Sequence, residues 1–166
     1  MKFKQVVLAT TLALSGFGAA HANQTWAFSY SGAGVVASGT FTTASAAPAP
    51  QPVLSMSGTR NGVAILGLVP VGSSLTYSYD NEFSPVSPYF TSDGLLLDMA
   101  GSVPDVNVYF FAGAFTDLYG CDTTCVETPI SFSVRAVPEP ATVLSMLAGL
   151  GVMGVGMQLR RRRDTV

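Results

Sequence analysis

Between residues 23 and 136 the sequence is built from short runs in which apolar and polar residues alternate. In the run TWAFSYS, the side chains of Trp26, Phe28 and Tyr30 fall on one side, which is the two-residue period of a β-strand with one buried face. No stretch of 12 residues in this region keeps the spacing of an amphipathic helix. The sequence therefore predicts an all-β domain.

Turn residues divide this region at frequent intervals. Asn61-Gly62 lies between two β-prone runs and predicts a hairpin, because these residues readily adopt the positive φ of a tight turn. The Ala- and Pro-rich stretch 42–52 predicts a surface loop. Seven or eight short strands separated by turns predict a single antiparallel β-sandwich or barrel. The predicted strands lie in TWAFSYS, GVVASGTFTT, VLSMSGTRNGVAILGL, SLTYSY, YFTSDGLLLDM, NVYFFAGAF and ISFSVRA.

Residues 1–22 have the layout of a secretory signal peptide. Lys2 and Lys4 precede a mostly apolar segment, and the small residues around Ala22 form a cleavage site. Cleavage between Ala22 and Asn23 is expected to release residues 23–136 as an exported domain of 114 residues. A domain of this length can bury a core of its own.

The charge of the exported region argues against one class of partner. The region contains two cations, Arg60 and Arg135, and eight acids, so its net charge is −6. A surface of this sign repels phosphate backbones, and nucleic acid is therefore not an expected partner. The acids are Asp80, Glu82, Asp93, Asp98, Asp105, Asp117, Asp122 and Glu127.

Residues 141–159 form an uncharged, mostly apolar segment near the C-terminus. A helix of this length extends about 28 Å, which nearly matches the hydrocarbon core of a bilayer. A cluster of arginines follows directly, and such clusters stay on the cytoplasmic side: Arg160, Arg161, Arg162 and Arg163. The sequence therefore predicts one C-terminal transmembrane helix, with the β-domain outside the cytoplasm.

The segment Val137-Pro138-Glu139-Pro140 joins the domain to the predicted helix. Its prolines lack amide donors and have a fixed φ, so they hold Glu139 in an extended backbone of the kind that proteases bind. Pro-Glu-Pro, a membrane span and an arginine cluster, in this order, resemble a PEP-CTERM sorting signal over residues 137–166. The resemblance implies recognition by exosortase, a membrane-embedded enzyme with a cysteine nucleophile, and cleavage near Pro138 to Pro140.

The same resemblance implies a route and a destination. Exosortase substrates occur in Gram-negative bacteria that make exopolysaccharide, so the expected partners are exosortase, the secretion machinery, the membrane and exopolysaccharide. The protein would pass through an inner-membrane intermediate to the cell surface or extracellular matrix. A permanent single-span anchor is the alternative that the sequence leaves open. The order of ASGT, SGTRNG and a DN step also resembles a domain common in PEP-CTERM proteins, which implies an all-β fold and no activity.

Cys121 and Cys125 are the two cysteines of the chain. Export to an oxidising compartment favours a disulfide, and Asp-Thr-Thr between them is compatible with the turn that a disulfide needs. A metal site is the alternative, but it requires further soft ligands, and the exported region has no His and no third Cys. We therefore predict a loop closed by a disulfide.

The exported region has few groups that are suited to catalysis. It contains no His and no Lys, which excludes a Ser-His-Asp triad, a Cys-His pair and a lysine nucleophile. Asp80 and Glu82 are candidates for a Ca²⁺ or ligand site, although solvated turn carboxylates are the main interpretation. Paired carboxylates of a glycosidase-like enzyme are a further alternative. Five aromatic side chains would stack on sugar rings if they were exposed. The main interpretation is that they lie in the core or are half-buried. They are Trp26, Tyr30, Tyr77, Tyr79 and Tyr89.

These observations favour a protein that is not an enzyme. We predict an exported, exosortase-sorted surface or matrix protein whose β-domain is adhesive or structural and requires no cofactor. A module that binds polysaccharide or calcium is the alternative.

Overall fold

The protein is described by a computed structural model over residues 23–121 and 124–138. These residues form strands and turns without a helix, which confirms the all-β prediction. None of the described residues belongs to a helix that could span a membrane. The predicted signal peptide with Ala22, the residues from Glu139 onward and the predicted transmembrane helix lie outside the described residues, as do Arg160, Arg161, Arg162 and Arg163.

The described residues contain nine strands. In chain order they are β1 (Gln24–Gly32), β2 (Val35–Thr43), β3 (Gln51–Arg60), β4 (Val63–Leu68), β5 (Glu82–Phe83), β6 (Leu95–Met99), β7 (Val106–Phe111), β8 (Ala114–Tyr119) and β9 (Val126–Val137).

Eight of these strands form a closed antiparallel barrel. The order of hydrogen-bonded neighbours is β2-β1-β9-β8-β7-β6-β4-β3, and the pairing of β3 with β2 closes the ring. The short β5 pairs with the start of β3. Closure leaves no long unpaired strand edge, so the barrel, rather than the sandwich, is the form that the predicted all-β domain takes.

Two-residue turns join several neighbouring strands. Asn61 and Gly62 both have positive φ, 49° and 81°, and close the predicted hairpin between β3 and β4. The Asn61 amide also donates to the carbonyl of Gly34, and its side-chain oxygen accepts from the amide of Val36. One residue therefore fixes its own turn and ties it to the neighbouring β1–β2 turn.

The close contact between β2 and β3 requires that residue 39 be a glycine. Gly39 lies opposite Gly58, and a Cβ atom at Gly39 would lie 2.1 Å from the carbonyl oxygen of Ser57 and 2.7 Å from the Cα of Gly58. Such distances are far inside van der Waals contact, so a side chain here would push the two strands apart.

Aromatic side chains fill much of the barrel interior. Phe83 is fully buried and packs against Trp26 and Phe41, with ring centroids 5.0 and 4.7 Å apart. Phe90 packs edge-on against Phe132 at 4.7 Å. Because Phe83 and Phe90 belong to the long connection between β4 and β6, that connection contributes part of the core.

Several strand predictions need correction. The run SLTYSY at 74–79 is irregular, although its polar and apolar residues alternate. Its tyrosines bond to loop backbone instead of facing a sheet: the Tyr79 hydroxyl donates to the carbonyl of Pro70 at 2.6 Å, and the Tyr77 hydroxyl to that of Asp105 at 3.0 Å. In YFTSDGLLLDM the strand is confined to β6. NVYFFAGAF is two strands, because Ala112 and Gly113 form an unpredicted turn with φ of 50° and 87°.

Candidate functional site

The exit end of the barrel is the end at which β1 begins and β9 finishes. Thr25 pairs with Thr42 of β2 on one side and with Val137 of β9 on the other, so the chain enters and leaves the barrel on neighbouring strands. The Gln24 side chain donates to the carbonyl of Val137 at 3.3 Å. Pro138 is exposed directly beyond the last strand. The start of the predicted sorting segment is therefore fastened to the barrel and the next residue is accessible.

Asn23, the first residue after the predicted signal-peptide cleavage, also lies at the exit end of the barrel. Asn23 is exposed and precedes the first residue of β1. Asn23 and Pro138 are therefore both exposed at the exit end of the barrel. Glu139 and Pro140, the other two residues of the predicted sorting segment, lie outside the described residues.

A charged cluster lies inside the barrel, nearer the opposite end, which we call the far end. The Asp117 carboxylate is fully buried and accepts two hydrogen bonds from the Arg60 guanidinium, at 2.9 and 2.7 Å. The Tyr30 hydroxyl donates a third at 2.9 Å. The guanidinium lies over the ring of Tyr119, 4.9 Å from its centroid. This geometry satisfies a buried charge pair, as interior ions require.

The pKa values in this cluster reflect burial and mutual contact. Burial raises the pKa of the Tyr30 hydroxyl, and the negative charge of Asp117 raises it further. Burial by itself lowers the pKa of Arg60, but its hydrogen bonds with Asp117 and the charge of that carboxylate leave the pKa above its ordinary value. The cluster is therefore held as an ion pair with a protonated tyrosine, which suits a structural role.

Sequence reasoning did not identify this cluster, although one signal for it was present. In the run SMSGTR the residues Met56, Gly58 and Arg60 share one side of the strand. Since Met56 is buried, the same period places Arg60 inside, and a buried cation requires a buried acid. The partner on β8 was not predictable, because β3 and β8 are not sequence neighbours.

Asp80 and Glu82, the candidates for a calcium or ligand site, lie at the start of β5. The Asp80 carboxylate accepts from the amide of Glu82 at 3.0 Å and from the Thr91 hydroxyl. Both of its oxygens are therefore used to fold the loop. Among residues 23–121 and 124–138, no three His, Cys, Asp or Glu side chains lie together in a way that could hold a metal ion.

The aromatic residues considered for sugar stacking lie mainly in the interior. Trp26, Tyr30 and Tyr79 are buried, and the Trp26 indole donates to the Thr43 hydroxyl at 2.9 Å. Tyr89 is half-buried and stacks on Phe115 at 5.9 Å. Tyr77 is half-buried, and its hydroxyl also accepts from the amide of Cys121 at 3.2 Å. Their main interpretation as core or half-buried residues agrees with these positions.

Cys121 and Cys125 form a disulfide, as predicted. Their Cα atoms are 4.1 Å apart, and the amide of Thr124 donates to the carbonyl of Gly120 across the turn at 3.2 Å. The bridge lies between β8 and β9 at the far end. The backbone amide of Cys121 also donates to the Tyr77 hydroxyl, which joins this loop to the long connection.

An open groove of about 530 Å³ lies on the barrel wall where β3 and β4 separate. Their pairing ends at Gly58 and Ile65, beyond which exposed Leu54 and Leu66 face the gap. Asp80 is the one charged residue in the lining, and its oxygens are already bonded. The groove is thus largely apolar and offers few groups for catalysis.

Comparison with known proteins identifies the tail. Residues 136–163 match the PEP-CTERM protein-sorting motif, which confirms the resemblance drawn from Pro-Glu-Pro, the apolar segment and the arginines. This match supports an exported protein that exosortase sorts to the surface. No curated protein matches the sequence, and no solved structure matches the chain.

Proposed function

We propose that the protein is an exosortase substrate whose barrel is delivered to the cell surface or extracellular matrix and acts there without catalysis, by adhesion or structural association. The tail is then a removable address and the barrel is the mature protein. The absence of His and Lys from residues 23–136 supports a non-catalytic barrel, since the usual nucleophile–base pairs cannot be assembled from the remaining residues.

The observation that carries this proposal is the place where the barrel ends. The sorting motif begins at residue 136, and the last strand finishes at Val137. All nine strands of the described residues lie before Pro138, so cleavage at or after this residue removes none of them.

The proposal is tested by the mass and location of the protein in its host. Deletion of residues 138–140 is expected to leave a full-length species in the inner membrane, while the parent yields a shorter surface or released form. A matched pair of single changes sharpens the result: Glu139→Gln alters the motif, and Glu127→Gln alters an exposed acid of β9. Processing that continues unchanged in the deletion variant would refute the sorting function.

A polysaccharide-binding role is the second candidate, and the outer face of four adjacent strands favours it. Ser29 pairs with Ser133 on one side and Ser38 on the other, and Ser38 pairs with Thr59. All four are exposed and lie on neighbouring strands about 4.8 Å apart, so they form a row of hydroxyls across β9, β1, β2 and β3. A hydroxyl-rich sheet face is suited to hydrogen bonding with a neutral glycan.

Co-sedimentation of the processed protein with exopolysaccharide from the host tests this second role. Replacing Ser29 and Ser38 with Val should reduce the bound fraction, because Val keeps the strand propensity and removes the hydroxyls. The matched control replaces Thr76 and Ser92, which are exposed outside the strands. Equal binding by both double variants would remove the support for a glycan-binding face.

A further inference from the structure

We propose that the exit end of the barrel is a membrane-contact surface, which rests on the lipid headgroups while the tail is still inserted. The inference depends on the proposed function in one respect: residues 141–159 must enter the bilayer before sorting. It adds the orientation of the barrel and names the part of its surface that meets the lipid.

The short connection to the tail restricts the position of the barrel. From Val137, where β9 ends, to residue 141 there are four Cα–Cα steps, which reach at most about 14 Å when fully extended. The headgroup region on one side of a bilayer is about 5–7 Å thick. Val137 therefore lies within about 10 Å of the headgroup surface, and the loops beside it are brought to the lipid.

Two loops lie at the exit end of the barrel: residues 44–50 join β2 to β3, and residues 84–88 follow β5. They contact each other, since the Ser84 hydroxyl donates to the carbonyl of Pro48 at 3.1 Å. None of their twelve residues is charged, and they consist of Ala, Pro, Ser and Val. Most are exposed, including Val86 at 58%. Small uncharged loops with an exposed valine can enter the headgroup region without leaving an ion unsolvated.

Charged residues lie at both ends of the barrel. At the exit end, Arg135 is exposed on β9, and Glu82 pairs with Pro52 at the start of β3. Asp105 and Glu127 lie at the far end, before β7 and near the start of β9. The orientation therefore rests on the short connection to the tail and on the two uncharged loops.

A lipid surface fits this end better than a second copy of the chain. The tether brings lipid to the exit end in every molecule, and the two loops there carry no charge that an anionic headgroup would repel. The contact would hold the barrel upright and keep Pro138 at the membrane surface, where a membrane-embedded protease works.

Depth-dependent fluorescence quenching tests the contact. The full-length chain from residue 23 onward is reconstituted in vesicles of phosphatidylethanolamine and phosphatidylglycerol, with and without brominated acyl chains. Val86→Trp reports on the exit end, and Val126→Trp is the matched control at the far end, because Val126 is 51% exposed. The parent protein supplies the background from Trp26, which is buried inside the barrel.

The Val86→Trp variant should show a blue-shifted emission that brominated lipid largely quenches, and the Val126→Trp variant should show neither. Equal quenching in the two variants, or none in either while the chain floats with the vesicles, would overturn the contact and leave the sorting proposal intact. Failure of the chain to float with the vesicles would overturn the membrane insertion on which both depend. If Val86→Trp lowers the melting temperature, Ala47→Trp in the neighbouring loop gives the same readout.

Discussion

Replacing Arg60 with Met is the most demanding test of the barrel interior. Asp117 is fully buried and accepts two of its three hydrogen bonds from Arg60, at 2.9 and 2.7 Å. Met fills a comparable apolar volume but supplies no charge and no donor. Only the hydrogen bond from Tyr30 would remain, on a carboxylate that water cannot reach.

The expected cost is about 3–5 kcal/mol, the range measured when one partner of a buried ion pair is removed. For a domain of about 115 residues this corresponds to a fall in melting temperature of roughly 10–20 °C. Circular dichroism during thermal and urea unfolding of residues 23–138 measures both quantities. Arg135→Met is the matched control, and its exposed position predicts a change within about 0.5 kcal/mol.

A combined variant separates the lost pair from simple loss of packing. Arg60→Met together with Asp117→Leu and Tyr30→Phe removes every member of the hydrogen-bonded cluster, and a buried ion pair replaced by apolar residues is often nearly neutral. We therefore expect the triple variant to recover most of the lost stability. A cost below about 1 kcal/mol for Arg60→Met, or a triple variant no more stable than the single one, would refute the reasoning.

Three further predictions concern individual contacts. Because the pKa of Tyr30 is raised in the folded state, its proton stabilises the fold below pH about 10, and this stability is lost as the pH rises further. Above pH 10 the melting temperature of the Tyr30→Phe variant should therefore fall less than that of the parent. Parallel curves for the two proteins would contradict this. Replacing Cys121 and Cys125 with Ser should cost at most about 2 kcal/mol in urea unfolding, because the closed loop is short; a loss well above that would assign the bridge a larger role. Gly39→Ala should lower the free energy of unfolding by about 3 kcal/mol, because the added Cβ clashes with β3. Gly67→Ala is the control and should cost less than about 1 kcal/mol, because no atom lies within 4 Å of the added Cβ. Similar losses for both variants would rule out the clash.

Local patterns predicted much of the fold. The alternation around Trp26 identified β1, and Asn61-Gly62 identified a hairpin, because both depend on residues that are neighbours in sequence. The same local rule failed at 74–79, where alternation arises in a loop whose tyrosines bond to distant backbone. It also missed the turn at Ala112, since a non-glycine residue with positive φ has no strong signature in sequence.

The candidate sites also differ in whether residues that are close in sequence were enough to predict them. The sorting motif was recognisable because its parts are consecutive, and the disulfide because export favours oxidation and the residues between the two cysteines are compatible with a turn. Asp80 and Glu82 were candidate calcium ligands because they lie two residues apart, and the fold places both carboxylate oxygens of Asp80 in hydrogen bonds within the loop. The position of an acid in the chain does not show which donors the fold brings to it.

The sequence by itself determined that the chain forms β-structure, that it carries a PEP-CTERM sorting motif and that its cysteines close a small loop, because each of these depends on period or spacing along the chain. Tertiary structure alone decided that the strands close into a barrel rather than a sandwich, that Phe83 and Phe90 complete the core, and that Arg60 meets Asp117 inside it. These contacts join residues that are far apart in sequence, and their partners are selected by the closure of the sheet and by the cost of leaving a buried charge unpaired.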